Sequence, residues 1–350
     1  MFFSSKKILG IDIGSSSIKF AELDVSKNSA TLQSFGIVPT PGGSVGTGEV
    51  QDPNSLAAVL RGAVQQLKTK RKNISLGLWG TAVIVKRVTI PRMDKNLIKD
   101  QVRFEAEQYI PFDISTVALD YHLLNFKQGP ETMDILLVGA QNDLIASYIE
   151  AIDAANLKTS IVDVSGFALA NIFEFNYGVF PNTAIGILNF GATVTNFVVV
   201  FDGEVIFSRD IPVGGANFSH EISKGLGVSI NEAESFKLNA VRSQEVPEEI
   251  HSIIASTNES LAEEIRNSLD FVNITSQGVQ IQRCFFTGGS SATVGLIDTI
   301  SRVTQLPFEP MNPTQKLKIN SKKFPDEYMQ QVLPLMSVAL GLGLRQIGDR

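Results

Sequence analysis

The segment Ile8-Leu9-Gly10-Ile11-Asp12-Ile13-Gly14, followed by Ser15-Ser16-Ser17-Ile18-Lys19-Phe20, has an echo about half a chain later. There Ile185-Gly186-Ile187-Leu188-Asn189-Phe190-Gly191 is followed by Ala192-Thr193-Val194-Thr195-Asn196-Phe197. Each copy reads as strand, tight turn, strand. Such an internal repeat predicts two related lobes, each opening on a turn of phosphate size. Two lobes that face one another make a cleft.

Strand-like and helix-like patterns alternate along the rest of the chain, which predicts an α/β architecture with sheets covered by helices. The Pro/Gly-rich stretch 39–46 cannot continue either element, and a helix starts near Asp52-Pro53 with proline in its first turn. From 83 to 157 the pattern runs strand (83–90), helix (94–109), strand (117–126), strand (133–140) and helix (142–156), and reads as a self-contained insert. A strand over 159–163 and a helix from Ser165 return the chain to the first lobe. In the second lobe the charged stretch 243–249 and the polar stretch 259–270 predict an attached helical subdomain.

With 350 residues, 43% of them hydrophobic, the chain can bury one large core or two ordinary ones. Thirty Lys plus Arg against 36 Asp plus Glu give a net charge of -6, so no overall positive field attracts a nucleic-acid backbone. The dense basic cluster Lys68, Lys70, Arg71 and Lys72 falls where a helix ends, where cations complement the helix dipole. The single cysteine, Cys284, cannot form an internal disulfide. Its apolar run Cys284-Phe285-Phe286 predicts a buried thiol in a reducing compartment. The N-terminal stretch Met1 to Lys7 lacks a signal-peptide pattern. The apolar stretch 332–344 contains Pro334, Gly341 and Gly343 and falls short of the ~20 residues a membrane span needs. The expectation is a soluble, cytoplasmic protein that meets a membrane through partners. Trp79 and most phenylalanines read as core.

The turn Gly14-Ser15-Ser16-Ser17 has what a phosphate cradle needs: a glycine for close backbone approach, then amides and hydroxyls as donors, with Lys19 adding a cation. Gly191-Ala192-Thr193 is its counterpart. Asp12 lies inside an apolar strand, an expensive place for a carboxylate unless it is paired or touches a metal or its waters. Asn189 holds the matching position in the second copy and brings no charge. Gly214-Gly215 and Gly288-Gly289 each open a predicted helix, the second running from Ser290 to Val303. Helix N-termini present amides suited to phosphate or a nearby ribose hydroxyl. Glu234 and Lys237 share one helical face, either as an ordinary ion pair or as a ribose or adenine contact. Three scattered histidines and the absence of Cys/His ligand spacing, of Gly-x-Ser-x-Gly and of Walker-type loops leave no other catalytic constellation.

Taken in order, Gly10-Ile11-Asp12-Ile13-Gly14-Ser15, Asn189-Phe190-Gly191-Ala192-Thr193, Gly214-Gly215, Ala233-Glu234-x-x-Lys237 and Thr287-Gly288-Gly289-Ser290 resemble the nucleotide site of the actin, sugar kinase and heat-shock chaperone superfamily. Within it, the stretches 102–113, 213–218 with 225–234, and 334–345 resemble the PilM family of type IV pilus assembly proteins, so that the likeness covers essentially the whole chain. The resemblance implies an actin-like (ribonuclease H-like) two-lobed fold with duplicated βββαβα cores and an FtsA-like inserted subdomain. Laid on this chain, the first lobe takes residues 1–82 with 158–180 and 331–350, and the insert takes 83–157. The second lobe takes 181–221 with 281–330, and its helical subdomain 222–280.

The same resemblance implies ATP held with Mg2+ in the cleft and, as partner, the N-terminal cytoplasmic peptide of the membrane protein PilN, captured in a groove beside the insert. Other inner-membrane and motor proteins of the pilus machine follow as further partners. Asp12 would meet the magnesium through water, and Asn189 weakly. Asp163 matches the carboxylate that positions an attacking water. Relatives usually carry an acid where this chain has Asn189, so binding with weak or absent ATP hydrolysis is expected, and Asn189→Asp is the substitution that probes the difference. A metabolic kinase or phosphatase of the superfamily, and an FtsA-like filament former, are the competing readings. The short polar ending from Arg345 to Arg350 argues against a membrane-anchored filament.

Overall fold

The computed structural model describes residues 7–27, 29–125, 129–276 and 278–349. Strands β1 (Leu9–Ile13), β2 (Ser17–Ser26) and β3 (Ser29–Pro39) form an antiparallel meander. It is followed by the short pair β4 (Val45–Gly46) and β5 (Glu49–Val50), helix α1 (Pro53–Leu67) and strand β6 (Asn73–Leu78). Asp52 caps α1, its Oδ1 accepting the Ser55 amide at 3.0 Å, and Pro53 occupies the first helical turn, as the Asp-Pro pair predicts. Next come β7 (Val83–Pro91), α2 (Lys95–Tyr109), β8 (Val117–Leu123), β9 (Thr132–Gln141) and α3 (Asn142–Ala154). β10 (Lys158–Val164) and α4 (Ser165–Tyr177) complete the first half.

The second half repeats the scheme with β11 (Ala184–Phe190), β12 (Thr195–Phe201) and β13 (Glu204–Ile211). Helices α5 (Gly215–Leu226), α6 (Ile230–Val241) and α7 (Glu248–Thr275) follow, then β14 (Ile281–Thr287), α8 (Leu296–Thr304), β15 (Phe308–Pro310) and α9 (Asp326–Leu344). The two five-stranded sheets have orders β10-β6-β1-β2-β3 and β13-β12-β11-β14-β15. In each, three antiparallel strands are extended by two parallel ones. The repeat in the sequence is therefore a repeat of topology. β1 and β11 hold the same central place, and parallel neighbours with helices on both faces require the near-continuous apolar runs both strands show.

Helices α1 and α3 cover one face of the first sheet, where Leu56, Leu60, Leu144 and Tyr148 pack on Ile11, Ile13 and Phe20. On the other face, α4 and α9 lie between the sheets, and one core joins Ala21 and Leu23 to Ile185, Ile187 and Phe285 through Leu169, Phe173, Met336 and Leu340. Close approach makes this possible. A Cβ on Gly10 would lie 2.5 Å from the Ala339 carbonyl of α9, and one on Gly341 would stand 2.6 Å from the Ala168 carbonyl carbon of α4.

The 83–157 segment forms a three-stranded sheet in the order β7-β9-β8, with α2 packed on it through Ile98, Val102 and Ala106. Leu124 and Leu136 join the second-lobe core, and the Asn125 amide and side chain both donate to Glu204, at 2.8 and 2.6 Å. α3 packs instead on the first sheet, where its Tyr148 hydroxyl donates to the Gly48 carbonyl at 2.7 Å. The strand expected over 117–126 ends at Leu123, and Phe126, like the N-terminal residues 1–6, lies outside the described residues. The helix expected from Ser290 to Val303 is split into a 3-10 turn, Gly289–Ala292, and α8, because Gly295 adopts φ +71 between them. Arg71 also departs from the helix-dipole reading of its cluster: it is buried, donating to the carbonyls of Ile8 and Leu23 and pairing with Glu22 and Asp24. Cys284 is buried as expected, and burial pushes its thiol pKa up to about 12. Among the described residues no helix is long and apolar enough to cross a membrane.

Candidate functional site

The first hairpin closes with a hydrogen bond from the Gly14 amide to the Ser17 carbonyl at 3.2 Å, leaving Ser15 and Ser16 at the tip. Thr40 pins this turn from behind. Its hydroxyl donates to the Gly14 carbonyl at 2.6 Å and its amide to the Ser16 carbonyl at 3.1 Å. The Trp79 indole donates to the Ile13 carbonyl at 2.9 Å, so the tryptophan read as core also fixes the strand end under the turn. Across the hairpin Lys19 Nζ pairs with Asp12 Oδ2 at 3.2 Å, and a Cβ on Gly14 would stand 3.0 Å from that nitrogen. Any side chain at position 14 would push the cation aside.

The second hairpin repeats this closure, Gly191 amide to Val194 carbonyl at 3.0 Å, with Ala192 and Thr193 at its tip. The Gly191 carbonyl accepts the Gly215 amide at 3.0 Å and the Ser290 hydroxyl at 2.8 Å, and the Ala192 carbonyl accepts the Ala216 amide at 2.7 Å. The opening amides of α5, which the sequence leaves for an anion, are thus spent on clamping the second turn, because the turn carbonyls point straight at the helix N-terminus. Gly214, Gly215 and Ser290 are brought together with Gly191 and Ala192. Gly288 joins them at φ +97, and a Cβ there would lie 2.7 Å from Asn189 Oδ1. Gly289 faces away, toward Leu335 of α9. Between the lobes the two tips meet: Ser15 Oγ and Thr193 Oγ1 are 3.1 Å apart.

Glu234 and Lys237 are more than a surface pair. Lys237 is buried, and its ammonium has three acceptors: Glu234 Oε2 at 2.7 Å, the Gly215 carbonyl at 2.9 Å and Ser219 Oγ at 3.0 Å. Three donors with three acceptors leave Lys237 no proton for a ligand. Its effect passes through Glu234, whose Oε2 also accepts from Ser219. Among the described residues, the other oxygen of the half-exposed Glu234 has no partner. Asp163 lies level with Gly77 in the first sheet, while Ile11 lies level with Leu76. Asp12 and Asp163 therefore stand two strands apart, about 10 Å between backbones. The Asp163 carboxylate is buried, paired with Arg345 and bonded to the Val164 amide at 2.8 Å. Burial holds its pKa above the usual carboxylate range against the pull of both partners.

Polar residues that sequence reasoning missed connect the two turns. Asn189 stands opposite Asn196, as Asp12 stands opposite Lys19 in the first hairpin. Asn189 Nδ2 donates to Asn196 Oδ1 at 2.7 Å, Asn196 Nδ2 donates to Asp210 Oδ1 at 2.7 Å, and the Gly80 amide donates to Asp210 Oδ2 at 2.7 Å. A polar residue in an apolar strand was the available signal, the one that singled out Asp12.

The groups brought together fit a nucleoside polyphosphate. Two turn tips offer hydroxyls and amides, Lys19 adds a cation, the glycines form a cradle that a Cβ would fill, and Glu234 keeps an oxygen that can accept from ribose hydroxyls. Asp12 supplies the hard oxygen that a hydrated divalent cation requires.

A family model described as type IV pilus assembly protein PilM matches residues 10–347. A solved structure titled as a PilM–PilN type IV pilus biogenesis complex matches with a TM-score of 0.86 at 28% identity, covering 98% of this chain and 99% of that one. The ethanolamine utilization protein EutJ from Carboxydothermus hydrogenoformans matches with a TM-score of 0.57 at 13% identity, covering 98% of this chain and 91% of that one, a likeness of fold alone. Two sheets of the same strand order, with the repeated turns meeting between them, make the fold α/β and actin-like, as the sequence leads one to expect. The chain belongs to the type IV pilus assembly protein PilM family.

Proposed function

We propose that the protein is the ATP-binding cytoplasmic scaffold of a type IV pilus machine, at the inner face of the inner membrane, where it holds the N-terminal peptide of PilN and links it to other inner-membrane and motor components. The observation that carries the nucleotide half of this reading is the meeting of Ser15 and Thr193, one from each repeated turn. Phosphates are held by the tips 14–17 and 191–193 and by Lys19, with Gly214, Gly215, Gly288 and Ser290 shaping the floor and Glu234 meeting the ribose. Asp12, through water, and Asn189 more weakly, hold Mg2+, whose charge offsets that of the phosphates when bound. A water-positioning role for Asp163 requires Arg345 to release its carboxylate, which favours binding over turnover.

The lobes are read as 1–82 with 158–180 and 331–350, and 181–221 with 281–330. Residues 222–280 form the helical subdomain and 83–157 the insert, with α3 as the insert's seat on the first sheet. The peptide half of the proposal is supported by the insert. α2 keeps Leu97 and Phe104, two turns apart on one side, exposed at 55 and 60% while burying Ile98, Val102 and Ala106 on the other, so two large apolar side chains face outward from it. Nucleotide favours one closure of the lobes and so sets peptide affinity. The test is calorimetric titration of the full chain with a PilN N-terminal peptide, with and without Mg-ATP. Tighter peptide binding in the presence of nucleotide is expected, and an ATP-independent affinity together with an unchanged melting temperature would remove the gating.

A further inference from the structure

The row Asn189, Asn196 and Asp210 runs straight across β11, β12 and β13, because Asn189 registers with Asn196 and Asn196 with Asp210. Each amide has one donating and one accepting end, so the direction of the row must be set from an end that cannot reverse. Asp210 is that end: both carboxylate oxygens accept, one from Asn196 and one from the backbone amide of Gly80. Asn196 must therefore turn its nitrogen to Asp210 and its oxygen to Asn189. Asn189 must then turn its nitrogen into the row and its oxygen out of it. That oxygen lies on the Gly288 side, 2.7 Å from where a Gly288 Cβ would be, among the glycines of the second turn. The Gly80 end is equally fixed. Its neighbour Trp79 holds the Ile13 carbonyl beside the first turn, so one hydrogen-bonded path joins both turns through Asp210.

We infer that Asp210 is a positioning residue of the second turn: acting through Asn196, it sets Asn189 oxygen-first toward the site. The site thereby receives an acceptor oxygen while the negative charge stays two residues away across the sheet, sealed against Gly80. Burial raises the Asp210 pKa, and the bonds from Asn196 and Gly80, which favour the ionised form, pull it back. The inference rests on the nucleotide reading only for what the Asn189 oxygen faces; the direction of the row stands without it.

The consequence is specific. In Asn189→Asp, carboxylates stand at both ends of Asn196, which has a single NH2 group to share, so one acceptor meets another. In Asp210→Asn the Gly80 amide sets the direction instead and the row reverses: it donates to the oxygen of the new carboxamide, whose nitrogen donates to Asn196 Oδ1, Asn196 Nδ2 donates to Asn189 Oδ1, and Asn189 turns its NH2 rather than its oxygen toward the site. In the double variant the row reverses with every bond made. The Gly80 amide donates to the oxygen of the new carboxamide at position 210, the nitrogen of that carboxamide donates to Asn196 Oδ1, and Asn196 Nδ2 donates to the new carboxylate at position 189. The experiment compares the thermal unfolding of these four full-length proteins without ligand, then ATP binding with Mg2+ and with EDTA. Asn189→Asp is expected to melt roughly 3–8 °C below wild type, whereas Asp210→Asn and the double variant each stay within about 2 °C of it. With the carboxylate moved to position 189, the ratio of ATP affinities with Mg2+ and EDTA rises at least about threefold. If Asn189→Asp alone does not fold, recovery of folded protein on adding Asp210→Asn supports the relay. Additive losses, or a magnesium ratio unchanged in the double variant, overturn the inference. Failure of wild type to bind ATP at all defeats the site reading instead, and the unfolding cycle still decides the relay.

Discussion

Asp163 shows how far a single residue can be read from its neighbours. Its pKa is raised by burial, so between its unfolded and folded values the native state binds the extra proton, and stability declines as pH rises through that window. Arg345 limits the decline by stabilising the charged form. Arg345→Met removes that limit. Urea unfolding should show a loss of about 3 kcal/mol at pH 8 and clearly less at pH 5, where more of the uncompensated carboxylate is protonated. Equal losses at the two pH values would mean that the pair carries no charge-dependent stability. The same care applies to Lys237, which the sequence places beside a nucleotide but whose protons are all used inside the protein. Its value to a ligand is that it holds Glu234 still.

Among the elements, α9 and α2 have opposite relations to their surroundings. α9 is buried along its C-terminal half, and its small residues let it touch β1 and α4 at once. Gly341→Ala would drive a methyl group into the Ala168 carbonyl, where two backbones leave nothing to shift. A loss of roughly 3 kcal/mol or more is expected, readable as a lowered denaturant midpoint. In the middle of α9 the Pro334 carbonyl accepts from the Gly288 amide at 2.9 Å and the Thr287 hydroxyl at 3.0 Å, joining the helix to the end of β14. α2 stands on the surface with Leu97 and Phe104 turned outward. Phe104→Glu should lower PilN-peptide affinity at least about tenfold while moving the melting temperature by no more than about 1 °C, since the ring has no core contacts to lose. Unchanged peptide affinity would direct the search to another face of the insert.

At the scale of the whole molecule, the lobes share a core through α4 and α9, and the insert packs on both of them. With a core shared in this way, a ligand that bridges the two turns should stabilise the chain as one unit. Mg-ATP at 100 times its Kd should add about 2.7 kcal/mol, seen as a single transition at higher temperature, and EDTA should remove part of the gain. Two separate transitions, with only one shifted, would show that the lobes unfold independently and would break the proposed link between nucleotide and peptide.

The sequence by itself determined the duplication, because two copies of an apolar strand with a small-residue turn have one economical solution: two sheets with the same strand order and paired turns. It also determined the insert's element order, the start of α1 near Asp52-Pro53, and Asp12 as a carboxylate that needs a partner. These are local patterns or patterns repeated at a distance, and periodicity records both. Only the tertiary structure decided that the amides of α5 are consumed by the second turn, that Arg71 is buried in a charged network, that Asp163 answers to Arg345, and that Asn189 takes its orientation from Asp210 through Asn196. Each depends on which polar atoms end up facing one another across strands or lobes far apart in the chain. No spacing along a sequence specifies the direction of a hydrogen bond.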